Sequence, residues 1–354
     1  MAAGPKRCGS PTIEVVPSAA KRRSSRLDHS QTREFAAETR VARSILRGVR
    51  FSLQLPTDRV DAGDEFLGAA AVGEMARAIE TAGFDACFVT DHPFPNDRWL
   101  EGGGHHTLDP FVALSFVAAA TERLRVQTNI AVLGYRNPFL MAKAAASLDV
   151  MSGGRLILGV AAGYLKREFR ALGADFDARN DVADETVRAM KRAWTEEGVE
   201  LIGRHFAATG NTMLPRPVQQ PHPPLWIGGN SQRAIRRAVE LGDGWIPFPT
   251  VGIAPARVRT AAILSMSDFD ERLAYARRHA DAVGREQPLE ISFVPFGLSM
   301  NPPDSPDPSK FAETIDSLGA RGVTWVTMSL PAATRSEFLD GVAKLGEDLL
   351  RPLR

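Results

Sequence analysis

Cysteine is scarce in this chain, and no long apolar run occurs. Of 354 residues only Cys8 and Cys87 are cysteines, too few for a disulfide framework or a thiolate metal set. No stretch approaches the ~20 consecutive apolar residues of a membrane-spanning helix, so a soluble, cytoplasmic protein with no membrane partner is expected. Formal charge nearly cancels at +1, and no global field draws the chain toward nucleic acid. That sum hides an asymmetry, because residues 1–48 hold ten Lys/Arg against four Asp/Glu. The stretch "KRRSSRLDHSQTREF" follows its Arg22-Arg23 pair with no apolar segment, so it matches neither a secretory nor a twin-arginine signal. Residues 1–48 read as a disordered basic extension. A solvated tail and a nucleic-acid or partner arm are both readings of such a run.

What is present from Val49 onward is an alternation of short apolar runs with helical segments. "VRFSLQL" reads as a strand. In "GDEFLGAAAVGEMARAIETAG" Leu67, Ala71, Met75, Ile79 and Ala82 share one helical face, and Gly83 stops it. The beat continues through strand "FDACFVT", helix "PFVALSFVAAATERL", strand "RVQTNIAVL", helix "PFLMAKAAASLDVM" and strand "RLILGVA". A helix at 181–197 precedes a proline-rich excursion, 199–224, that suits a small hairpin. Then come "LWIGG", the helix "SQRAIRRAVELG", "GWIPF", a helix at 268–284, "LEISFVPFGL", a helix at 309–319, "VTWVTMSL" and a closing helix at 334–350. Eight strands each followed by a helix or insertion predict a TIM (β/α)8 barrel with insertions, as one domain over 49–354.

Active groups of such a barrel sit on loops at the carboxyl ends of its strands. Those ends carry Gln54, Asp91-His92, Asn129 to Leu133, Gly163-Tyr164, Gly228 to Asn230, Phe248 and Ser299. One acid and one imidazole do not make a metal centre, and none is expected. Asp91-His92 in "TDHPFP" reads either as a proton-transfer pair or as a loop held by its own polar groups. His105-His106, in the Gly-rich "EGGGHHTLDP", suit a mobile lid better than a chelate. "WIGGNSQRAIRRA" runs a strand through Gly228-Gly229 into a helix with Asn230 or Ser231 as N-cap, an arrangement that suits a phosphate or a plain capped turn. "LGVAAGYLKREF" offers a small-residue turn where backbone can approach a flat ligand.

These pieces resemble the luciferase-like monooxygenase superfamily, in particular its branch of coenzyme F-420-dependent oxidoreductases. The resemblance runs through "GFDACFVTDH", "YRNPFLMAKAAASLDVMSGGRLILGVAAGYLKREF", "MLPRPVQQPHPPLWIGGNSQRAIRRA" and "GDGWIPF", over about residues 50–250. It implies a deazaflavin, coenzyme F-420, held in the barrel mouth, with hydride exchanged with a small organic substrate. On the family pattern His92 gives or takes the proton, and Asp91 touches the coenzyme or orients its loop. A non-proline cis peptide behind the ring falls on Asn129-Ile130, a second ring-side turn on Gly163 and Tyr164, and the phosphate-side turn on Gly228, Gly229, Asn230 and Ser231. Some relatives carry a glutamate where this chain has Tyr164. Arg136 is placed near substrate or as a surface cap, and Trp245 in the barrel wall. The resemblance leaves two alternatives, an FMN-dependent monooxygenase working with a separate reductase and a non-catalytic deazaflavin-binding protein. A homodimer is also compatible with it. The lid 94–108, the excursion 199–224 and the loop 249–267 are expected to shape the substrate pocket.

Overall fold

A computed structural model describes Met1 and residues 48–252, 260–297 and 307–353. Residues 2–47, and with them nearly all of the expected disordered extension, lie outside the described residues, as does Ser299. Eight strands close a parallel barrel: β1 (Arg50–Gln54), β2 (Ala86–Val89), β3 (Arg125–Val132), β4 (Leu156–Ala161), β7 (Leu225–Gly228), β8 (Gly244–Ile246), β9 (Glu290–Phe293) and β10 (Trp325–Met328). They are the eight runs legible in the sequence. Their neighbours follow chain order, and Phe51 pairing with Val326 closes the ring. The excursion forms an antiparallel hairpin of β5 (Val199–Ile202) and β6 (Ala207–Asn211) outside the barrel.

The connecting helices start within a few residues of the expected positions, two residues early at Arg179 and Met266. Helix α1 (Ala69–Ala82) buries Ala71, Met75 and Ile79 and ends on Gly83 at φ 95, a left-handed cap that glycine adopts without steric cost. After a short α2 (Asp97–Glu101), α3 (Pro110–Ala120) and α4 (Pro138–Met151) begin with proline behind an Asp109 or Asn137 side chain that accepts from the first-turn N–H groups. A short α5 (Lys166–Ala171) and the long α6 (Arg179–Thr195) precede the hairpin. Then come α7 (Gln232–Leu241), α8 (Met266–Ala282), α9 (Pro308–Ala320) and α10 (Arg335–Leu345), which runs on through Gly346–Leu350 and Arg351–Leu353, with capping boxes Ser265/Asp268 and Thr334/Glu337 opening α8 and α10.

Alternation along each strand separates two cores. Leu53, Cys87, Val126 and Leu158 pack in the layer shared with the helices, where burial pushes the Cys87 thiol up to about 12, against a small opposing pull from Arg155. That thiol has no nucleophilic role at neutral pH. Inside the barrel, Ala86, Ile157, Trp226, Ile246 and Trp325 form a second cluster, with the Trp226 and Trp325 rings 5.3 Å apart, and Ile130 packs on it. The aromatic plug closes the barrel below and gives the mouth an apolar floor. Trp245 lies fully buried in the wall, its indole N–H donating to the Gly229 carbonyl at 2.9 Å.

Candidate active site

A cavity of about 330 Å³ opens at the carboxyl ends of the strands. Its floor is apolar, made by Ile130, Ala161, Ala162 and Ile246. The Asn129-Ile130 peptide is cis, and the β3–β4 register shifts between Thr128 and Ala131. The ladder resumes at Ala131, and Ile130 packs on the tryptophan cluster. Gly228 borders the same floor, where a Cβ would come within 3.4 Å of the Ile130 side chain and 3.5 Å of Ala161. Any larger residue there would rise across the shelf. Gly163 is at φ 83, and a Cβ would meet Val132 at 2.6 Å and Phe169 at 2.7 Å, so the turn after β4 requires glycine.

His92 and Asp91 lie at the end of β2 with separate partners. The Asp91 carboxylate, 3% exposed, accepts two hydrogen bonds from Arg136, at 2.5 and 2.9 Å, and one from the Val132 N–H at 2.9 Å. Arg136 also reaches Asp109 at 3.0 Å. Burial opposes the Arg136 charge, but its bonds to Asp91 and Asp109 hold its pKa above the usual guanidinium value. Asp91 thus ties the β2 loop to the end of β3, and its oxygens are engaged there.

His92 faces a residue that sequence reasoning missed. Its Nδ1 lies 3.2 Å from Glu168, a fully buried carboxylate on α5 that also accepts from the Tyr135 hydroxyl at 2.7 Å and from the Phe94 N–H at 3.0 Å. Burial raises the pKa of Glu168, yet the hydrogen bonds from His92, Tyr135 and Phe94 outweigh it and hold the carboxyl below its ordinary value. An ionised carboxylate only accepts, so Nδ1 must donate. A neutral His92 accordingly carries its proton on Nδ1 and offers Nε2 as an acceptor. The signal available in "GYLKREF" was its single acid just beyond β4. In that charged setting it reads as a helix surface residue.

The lid contributes rings. Helix α2, capped by Asn96, sets Trp99 against His92 with centroids 4.5 Å apart, and the His105 ring meets His92 edge-on at 5.1 Å. His105 Nε2 is 3.0 Å from the Thr90 hydroxyl. Burial, with the His92 and His106 charges adding and Glu168 opposing, pushes His105 down to about 4, so it is uncharged at neutral pH. Tyr164 lines the cavity near His92, its phenol pushed up to about 12 by burial and by the Glu168 charge.

At the far side, Gly229, Ser231, Ala234, Arg237, Arg179 and Asn180 line the wall. Ser231 is the N-cap of α7, accepting from the Ala234 N–H at 3.2 Å. Asn230 is fully buried and is not among the lining residues. Its side chain bonds the Phe248 backbone and the Ala261 carbonyl, and its N–H goes to Thr260. The Gly229 N–H likewise donates to the Ile246 carbonyl at 3.1 Å. The positive end of α7, at Ser231 and the first helical turn, is what meets the cavity. Of the three segments expected to shape the pocket, the lid supplies His105 and the 249–267 loop supplies Thr260, whereas the described residues of 199–224 supply none. Among the described residues, no cluster of three His, Cys, Asp or Glu side chains is placed to hold a metal.

Residues 49–283 match the family model of the luciferase-like monooxygenase. The chain belongs to that family. As a luciferase-like protein it is 32% identical over 174 residues to an FMNH2-dependent dimethylsulfone monooxygenase of Pseudomonas putida, covering 48% of this chain and 46% of that one. It is 30% identical over 237 residues to an F-420-dependent glucose-6-phosphate dehydrogenase of Nakamurella multipartita, covering 66% of each. These matches span about half to two thirds of the relatives' own lengths. Its fold is shared with a coenzyme F-420-dependent tetrahydromethanopterin reductase of Methanopyrus kandleri, at a TM-score of 0.65 and 15% identity over 86% of this chain and 99% of that one.

Proposed function

We propose that this protein is an oxidoreductase that transfers hydride between coenzyme F-420 and a small organic substrate, with His92 as the proton donor or acceptor. The observation that carries the reading is the imidazole of His92, fixed by the buried Glu168 carboxylate at the edge of a flat apolar shelf. The residues fit the coenzyme. Ile130, Ala161, Ala162 and Ile246 suit the face of a tricyclic ring, Gly228 leaves that face open, and the N-terminus of α7 with Ser231 suits a phosphate. When bound, a deazaflavin supplies a ring carbon that exchanges hydride. The protein does the rest: Nε2 of His92 takes the hydroxyl proton as an alcohol is oxidised, or returns it as a carbonyl is reduced. Glu168 holds the ring orientation and offsets the positive charge that His92 gains.

Asp91 and Arg136 support the reading as a clamp on the loop that carries His92. Gly163, Tyr164, Asn129, Gly228, Gly229 and Ser231 border the cavity where the coenzyme would lie, while Asn230 acts behind it by pinning the turn. A non-catalytic binding protein would have no use for the orientation that the buried Glu168 carboxylate imposes on His92. The FMNH2-dependent relative favours the second reading, a monooxygenase supplied with reduced FMN by a separate reductase. Titration of the purified chain with F-420 and with FMN, following quenching of each fluorescence, separates the two. Micromolar or tighter F-420 binding with weaker FMN is expected. Tight FMN retention without F-420 binding would move the protein to the monooxygenase reading.

A further inference from the structure

The two sides of the cavity differ in charge. Among the described residues, Arg179 and Arg237 are the cations that line it. Arg237 bonds Asp184 and the Asn180 carbonyl, and Arg179, next to Asn180 in the chain, stacks over Phe176 at 4.1 Å. Both therefore belong to the α6–α7 side, where Ser231 caps its helix. Arg136, nearer His92, is neutralised by Asp91 and Asp109. The His92 side is lined by Thr90, His105 and Tyr164, with Trp99 packed 4.5 Å from His92 and 5.5 Å from His105. The charge left behind that wall is the buried Glu168 carboxylate, 3.2 Å from His92.

Resting on the oxidoreductase reading, we infer that His105 is the specificity-determining residue on this side and that the substrate is an uncharged hydroxyl or carbonyl compound, not a carboxylate or a phosphate ester. Besides His92, whose charge Glu168 offsets, His105 is the lining residue whose protonation would place a cation here. It is half-buried, held by Thr90 and flanked by His92 and Trp99, and in that setting the imidazole stays neutral. An anion entering on this side would shed its hydration and meet the Glu168 field with no permanently charged cation among the described residues of that wall to pair with. An alcohol donates its hydroxyl proton to His92 Nε2, a carbonyl compound accepts from Nε2 when His92 is protonated, and either lays its apolar part on Trp99 and Tyr164.

The test uses matched pairs with the full chain at pH 7.5: 1-phenylethanol against mandelate, acetophenone against benzoylformate, and 2-propanol against lactate. Binding is read by saturation-transfer NMR and competition, both with and without oxidised F-420. The neutral member of each pair is expected to bind about tenfold or more tightly. His105→Lys should reverse the order, gaining about tenfold for the carboxylates, while His105→Gln keeps the neutral preference and the circular dichroism of both stays native. Equal or tighter binding of the anions by the native chain, an unchanged order in a folded His105→Lys, or binding of neither member of any pair would overturn the inference. Failure of F-420 itself to bind, read from its own fluorescence, counts against the coenzyme reading alone, because pair preference is also measured without it.

Discussion

His92 and Asp91 are neighbours in the chain with different duties, and substitution should separate them. His92→Ala removes the group proposed to move the proton, so turnover should fall ~10²–10⁴-fold while coenzyme affinity and melting temperature hold. Asp91→Ala leaves the mostly buried Arg136 without its main partner and the Val132 N–H without an acceptor. Its expected effect is a stability loss of about 3 kcal/mol, read by chemical denaturation. Glu168→Gln keeps the shape but exchanges an obligate acceptor for an amide that also donates. The tautomer of His92 should then shift away from protonation on Nδ1, visible in the ¹⁵N shifts of its ring, with turnover lower by at least about tenfold. An unchanged His92 tautomer in that variant would remove Glu168 from the mechanism. "TDH" at a strand end was legible because it follows a run of buried apolar residues and precedes two prolines. Glu168 was not, since its meaning depends on a partner 76 positions earlier that only barrel closure brings to it.

Among the elements, length decided what could be read. The eight barrel strands and the longer helices announce themselves through apolar runs, helical periodicity and caps. Helices α2 and α5, of five and six residues, are too short to show a period, yet they place Trp99 and Glu168. The turn into α7 was legible as a capped helix behind two glycines, but the division of labour within it was not. Asn230 faces inward to the Phe248 and Ala261 backbone, leaving Ser231 as the cap. Ser231→Asp tests the phosphate assignment cleanly. Aspartate caps a helix as well as serine does, so the melting temperature should stay within about 2 °C. Its charge would sit where a phosphate is proposed, so F-420 affinity should fall at least about tenfold in fluorescence titration. Undiminished affinity would place the phosphate elsewhere.

At the largest scale, the barrel's described cavity residues fall between Thr90 and Val294. We propose that residues 49–354 form one independent domain. Deletion of residues 1–45 should accordingly leave coenzyme affinity and thermal stability nearly unchanged, and a large loss of either would overturn that division. The barrel was readable because eight parallel strands covered by helices leave a repeated pattern. The acid sensitivity of the folded state was not, because it depends on where closure buries a histidine. His105 titrates near 6.5 when unfolded and is pushed down to about 4 by burial and its neighbours. Between those values the unfolded chain binds a proton that the folded chain refuses, so stability must fall as pH falls from about 6.5 to about 4. The full displacement corresponds to about 3 kcal/mol as an upper bound. Glu168, whose pKa is lowered from 4.5, adds stability that is fully present above its unfolded value and is lost only below it, so it contributes little within this window. Denaturation at pH 7 and at pH 4.5 should therefore show a clear loss for the native chain and a loss smaller by about 2 kcal/mol for His105→Gln, which keeps a partner for Thr90 but does not titrate. Equal losses in the two proteins would show that the folded barrel takes up the His105 proton as readily as the unfolded chain does, and the lowering of its pKa by burial would have to be abandoned.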